Sequence, residues 1–135
     1  GLLVSLALGG CGGHDYPIAP VEGTITLDGE PLADAQVGFE PVRKEKQTTA
    51  GFGSYGQTDA QGHYRLESLH GDDGAVVGKH RVSISTMRAE EGPSGEIKVV
   101  APERVPERYQ SGDALTFVVP EEGTEEADFA LTTEP

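Results

Sequence analysis

From Val21 onward the apolar residues alternate with a period of two, and this pattern constrains the fold more than any other feature of the chain. Val21, Gly23, Ile25 and Leu27 fall on one face of an extended segment, with Glu22, Thr24, Thr26 and Asp28 on the other. Ala35, Val37 and Phe39 repeat the pattern, as do Tyr64 with Leu66, and Val82 with Ile84 and Thr86. Two further segments close the series: Leu115, Phe117 and Val119, then Ala127, Phe129 and Leu131. No stretch sustains helical spacing for three turns. Strands that rest one face on a core and keep the other in water read in this way.

Turn chemistry punctuates the alternation. Asp28-Gly29-Glu30-Pro31 supplies the positive φ of a tight hairpin, and Pro41 closes the second strand because it cannot donate to a ladder. Thr58-Asp59-Ala60-Gln61-Gly62 and Asp72-Asp73-Gly74 are further turns. The segment from Phe52 to Thr58, with its glycines, reads as an irregular or edge strand. Residues 42–50 form a polar loop holding Arg43, Lys44 and Lys46, and residues 88–98 a polar insertion. Pro102, Pro106 and the run to Tyr109 suggest a rigid extended connection, and residues 120–126 an acidic hairpin loop. About seven short strands at this spacing predict an all-β fold, an antiparallel seven-stranded β-sandwich over residues 21–132. A chain of 135 residues has no room for a second domain beside it.

The chain has 23 acidic residues against 10 Lys and Arg, a net charge of −13. A body so acidic repels a phosphate backbone and an anionic lipid surface alike, which excludes nucleic-acid binding and membrane attachment through its own side chains. One cysteine, Cys11, excludes chemistry that needs several.

That cysteine follows an uncharged apolar run. Residues 1–10 are too short to span a bilayer, which takes about 20 apolar residues, but they suit the end of a secretory signal peptide whose upstream part precedes Gly1. Leu8-Gly9-Gly10-Cys11 resembles the bacterial lipobox. The resemblance implies cleavage before Cys11 and diacylglycerol on its sulfur, usually with acylation of the new amino terminus. Two or three acyl chains give stable anchoring. The competing reading is a short apolar strand with a buried free cysteine. Residues 11–20 then read as a tether. Gly12, in place of Asp, favours the outer membrane by analogy with lipoprotein sorting, with the domain facing the periplasm or exterior.

The order of the strands carries a second resemblance. The run from Val21 to Phe39, with Asp28-Gly29-Glu30-Pro31-Leu32, resembles the opening of carboxypeptidase-regulatory-like domains, which share the transthyretin-like (prealbumin-like) Greek-key sandwich. Thr58-Asp59-Ala60-Gln61-Gly62-His63-Tyr64 is similar to that family's second turn. Gly78-Lys79-His80-Arg81-Val82-Ser83-Ile84 is similar to its next strand, with His80 where Tyr is usual. With the lipobox and Pro106 to Tyr109, the chain resembles small lipoproteins of the Planctomycetes type. The resemblance covers residues 20–132 and implies a fold more firmly than a function.

A catalytic constellation is not legible. Of the four histidines, His14 falls in the tether and His63 on a solvent face, no His-x-x-x-His or Cys-His spacing exists, and no Gly-x-Ser-x-Gly elbow is present. The expectation is therefore a chain that is not an enzyme, with no catalytic or cofactor-binding residues. His70-Gly71-Asp72-Asp73-Gly74 could offer a loop metal site, but calcium is the more reasonable cofactor, with Asp72, Asp73, Glu121 and Glu122, beside Glu125 and Glu126, as candidates. These acids lack EF-hand spacing, and solvated acidic loops explain them as well. Tyr16, Tyr55 and Tyr109 with Phe52 would suit a glycan- or peptide-binding face if exposed together. The expected role is a lipid-anchored, non-enzymatic structural or protein-interaction module, with a membrane contact through Cys11 and an envelope protein as partner. An extracytoplasmic binding protein for a peptide, glycan or calcium ion is the alternative.

Overall fold

The computed structural model describes residues 16–42 and 51–134. Cys11, His14 and the basic residues Arg43, Lys44 and Lys46 lie outside the described residues. The strands are β1 (Ile18–Ala19), β2 (Glu22–Leu27), β3 (Glu30–Pro31), β4 (Gln36–Pro41), β5 (Ser54–Gln57), β6 (His63–Arg65) and β7 (Glu67–Ser68). They continue as β8 (Ala75–Val76), β9 (Gly78–Ser85), β10 (Arg88–Glu91), β11 (Ile97–Ala101), β12 (Thr116–Val119) and β13 (Phe129–Leu131). Among the described residues the one helical element is a 3₁₀ turn, Glu107–Tyr109. No helix among them is long and apolar enough to cross a membrane.

The protein is all-β, as the alternation predicts. One sheet has the order β12-β9-β4-β5-β7, antiparallel throughout. A second has the order β13-β2-β3, with β6 also on β2, and two two-stranded sheets, β1-β8 and β10-β11, stand beside these among the described residues. Most residues predicted to point inward are buried: Val21, Ile25, Ala35, Val37, Phe39, Tyr64, Leu66, Val82, Ile84, Ala127 and Leu131, while Leu27, Leu115 and Phe117 are partly buried and pack against that core. The sheets meet through Phe39 of β4, Phe117 of β12 and Phe129 of β13, whose ring centroids lie 5.9–6.2 Å apart in tilted or edge-on geometry. Aromatic rings prefer such arrangements to flat stacking, and complete burial of one large apolar side chain contributes roughly 1.5–3 kcal/mol.

The turns follow their chemistry. Asp28 and Gly29 have φ of 53° and 86°, as the hairpin into β3 requires. The Asp59 carboxylate accepts from the backbone N–H of Gln61 (2.9 Å) and of His63 (3.0 Å), closing the turn into β6.

Five expectations need correction. Strand β13 runs parallel to β2, with Phe129 opposite Ile25 and Leu131 opposite Leu27, so the sandwich-like body is not antiparallel throughout. Residues 52–58, expected to be an irregular or edge strand, do not lie at an edge, because β5 runs between β4 and β7. Its glycines serve that place: a Cβ on Gly56 would stand 2.5 Å from the Arg65 carbonyl oxygen. The polar insertion at 88–98 belongs to a hairpin, β10–β11. The extended connection before Tyr109 closes into the 3₁₀ turn. Strand pairing also begins inside the segment read as tether, where Ile18 and Ala19 pair with Val76 and Ala75.

Candidate functional site

A groove of about 500 Å³ opens where the start of β2 meets the loop 120–126. Pro20, Glu22, Glu122, Gly123, Thr124, Glu125 and Glu126 line it. The loop is held to β2 by backbone bonds from the Glu22 N–H to the Thr124 carbonyl (2.9 Å) and from the Thr124 N–H to the Pro20 carbonyl (2.9 Å). Gly123 is required in that contact. Its φ is +81°, and a Cβ there would stand 2.7 Å from the Pro20 carbonyl oxygen.

Four glutamates thus share one concave wall, and two basic side chains face one of them. In the antiparallel register of β2 with β6, Glu22 is opposite Arg65 and Thr24 opposite His63, which brings both basic groups to the Glu22 carboxylate. His63 Nε2 lies 3.1 Å and Arg65 Nε 3.8 Å from it. Arg65 also reaches Asp73, at 3.3 Å. Exposed pairs of this kind contribute little to stability, about 0–1 kcal/mol each. Arg65 does neutralise charge locally, leaving Glu122, Glu125 and Glu126 as the groove's acidic side.

The calcium candidates are dispersed. Asp73 faces Arg65, and Asp72 accepts from the Ser68 hydroxyl (2.9 Å) in the turn after β7. Glu122 lines the groove, while Glu121 is exposed on the turn and is not part of its lining. Among the described residues no three His, Cys, Asp or Glu side chains converge where one metal ion could be held. Of the aromatic candidates, Tyr16 and Phe52 come together, while Tyr55 and Tyr109 stand against other partners. Tyr16 meets Phe52 edge-on (6.2 Å), Phe52 meets His70 (4.5 Å), Tyr55 stands exposed against Gly38, and Tyr109 lies under the Arg108 guanidinium. Sequence reasoning missed Glu22 and Arg65 as parts of a site. Their only signal was charge on the polar face of two strands whose pairing was not legible.

A second recess, of about 460 Å³, is lined by Val42, Lys79, Arg81, Asp113 and Thr116. There the Arg81 Nε donates to Asp113 at 2.6 Å. A further titratable group lies inside the core. His80 is fully buried on β9, its Nε2 donating to the Val76 carbonyl (2.6 Å) and its ring 5.5 Å from that of Phe39. Burial holds its imidazole below the ordinary value, against the opposing pull of the Val76 and Phe39 carbonyls.

No family model matches the chain, and no curated protein matches it. Among solved structures it is similar to part of a 9R-lipoxygenase from Cyanothece PCC8801, at 12% identity and a TM-score of 0.45. The alignment covers 96% of this chain and 18% of that one, so the chain spans less than a fifth of the enzyme's length. This match to an enzyme withdraws the expectation that the chain is not one; at such identity and TM-score it assigns no activity in its place.

Proposed function

We propose that this chain is a lipid-anchored cell-envelope lipoprotein whose β-sandwich is a structural or protein-interaction module. The observation that carries the reading is the position of Leu8-Gly9-Gly10-Cys11 next to the folded body. Residues 12–17 alone separate Cys11 from Ile18, where strand pairing starts. Fully extended, that spacer reaches at most about 25 Å. A lipid on Cys11 would therefore hold the sandwich close to the bilayer, outer membrane in this reading, while the acidic body stays in water. The finer fold assignment, a seven-stranded transthyretin-like domain of the carboxypeptidase-regulatory-like kind, is part of the proposal. It is supported by the Asp28-Gly29 turn, the Asp59 to Gly62 turn and the start of β9 at Gly78, each of which bounds a strand.

Detergent-phase partitioning of the protein expressed with its own leader tests the anchor. The wild type is expected in the detergent phase and a Cys11→Ser variant in the aqueous phase; an aqueous wild type overturns the reading. One observation favours a second reading, an extracytoplasmic binding protein: the carboxylate-lined groove beside Glu22. Titration with calcium tests the calcium form of that reading, since heat of binding and a higher melting temperature at millimolar calcium support it and the absence of both refutes that form.

A further inference from the structure

The hairpin β10–β11 is the part of the fold that its own packing explains least. Arg88 to Glu91 and Ile97 to Val100 are all exposed, on both faces, and the two strands pair with each other alone among the described residues. An isolated two-stranded hairpin is marginal in water, and a third strand or a packed face is what normally makes one persist. Here the apolar residues needed for such packing are present and bare: Ile97 is 70% exposed, Val99 56% and Val100 41%. The root of the hairpin, by contrast, is fixed to the body. The Glu103 carboxylate accepts from the Ser85 hydroxyl (2.5 Å), the Thr86 N–H (2.8 Å) and the Val105 N–H (3.1 Å), and the Arg104 N–H donates to the buried Thr86 hydroxyl (2.6 Å). The strands are thus presented outward from a clamped base.

We infer that β11 is a self-association edge, on which the β11 of a second copy of this chain adds antiparallel to make the four-stranded sheet β10-β11-β11-β10. The choice of a second copy rests on register and on charge. In an antiparallel pair centred on Val99, Val99 faces its own counterpart, Ile97 faces Ala101, and Lys98 faces Val100, so no like charges stand opposite each other. The cross-strand partners Ala89 and Val99 share a face with Ile97, whose own partner on β10 is Glu91, and the two copies would join Ala89, Val99 and Ile97 into an apolar strip edged by Glu91. Charge favours this site over the rest of the surface. Of the chain's net −13, residues 88–101 carry −1, from Arg88 and Lys98 against Glu90, Glu91 and Glu96. Two acidic bodies that repel elsewhere can approach here. Pro102 ends the pairing at the strand's far end, because it has no N–H to donate.

Sedimentation velocity on the full chain over a range of concentrations tests the inference. The wild type is expected to form a reversible dimer. Val99→Lys places two lysines face to face and is expected to weaken the dimer by more than about tenfold, with the melting temperature of the monomer unchanged. Val99→Glu is expected to do the same, while an equimolar mixture of the two variants is expected to associate as a heterodimer. That rescue is specific to the Val99-centred register. A wild type that stays monomeric into the high micromolar range overturns the inference. So does a Val99→Lys variant that dimerises as tightly as the wild type, or a Lys and Glu mixture that stays monomeric.

Discussion

The Tyr64 hydroxyl donates to the Ala127 carbonyl at 2.6 Å, inside the core and across 63 residues of sequence. It fastens β6 to the chain segment that leads into β13, on either side of β2. Burial pushes the phenol well above its ordinary value, so the bond stays intact through the physiological range. Tyr64→Phe keeps the ring and leaves the carbonyl without its donor. The expected cost is about 1–2 kcal/mol, read as a lower denaturation midpoint at unchanged m-value.

Gly23 makes a sharper test of the same junction. A Cβ on it would stand 1.9 Å from the Ala127 carbonyl oxygen, a distance that only backbone displacement can relieve. Gly23→Ala is expected to cost roughly 3 kcal/mol, more than Tyr64→Phe, because overpacking against a main chain cannot be absorbed by a rotamer change. Thermal denaturation of the two variants side by side checks the order.

His80 gives the fold an acid-sensitive element. Its folded value is held below 6.5 by burial, so the core receives a neutral ring. As pH falls below the unfolded value, about 6.5, the unfolded chain takes up a proton that the folded chain resists. The contribution is therefore fully favourable above pH 6.5 and is lost as pH falls from there toward the folded value, by up to about 1.4 kcal/mol per pH unit. His80→Gln keeps a donor for the Val76 carbonyl and is expected to remove this slope from a stability profile measured by denaturant titration.

Glu103 acts in a lower window. Burial raises its value, but the hydrogen bonds from Ser85, Thr86 and Val105 outweigh that and hold it below 4.5. Its contribution is present above the ordinary 4.5 and is lost as pH falls through the depressed folded value. Glu103→Gln is expected to flatten the profile below pH 4.5 and leave the His80 window unchanged. Amide hydrogen exchange on the same variant is expected to show faster exchange in β10 and β11, because the root of the hairpin is loosened.

The parts of the fold that were legible are those where one face is buried and the other wet. Ile25, Phe39, Ile84 and Phe129 announce themselves because burial selects alternate side chains. The hairpin β10–β11 was not legible for the complementary reason: with both faces exposed, no alternation is written into it. The interior position of β5 was hidden by Ser54 and Gly56, small residues that carry no hydrophobic contrast even when packed. The parallel pairing of β13 with β2 depends on a connection of about a hundred residues, which leaves no local signal. A similar distance hid the groove, since Glu22 and the loop 120–126 are brought together by the bridge between Val21 and Thr124, about a hundred residues apart. His80 was within reach of the pattern: it sits two residues before Val82 and continues the inward series of β9.

The central claim, a β-domain displayed from a lipid on Cys11, is tested most directly by intact-mass and amino-terminal peptide mass spectrometry of the protein purified from its native envelope. The expected product is a chain beginning at Cys11, with residues 1–10 removed and the mass of two or three acyl chains on that residue. A mature protein that retains residues 1–10 with an unmodified Cys11 thiol would contradict it.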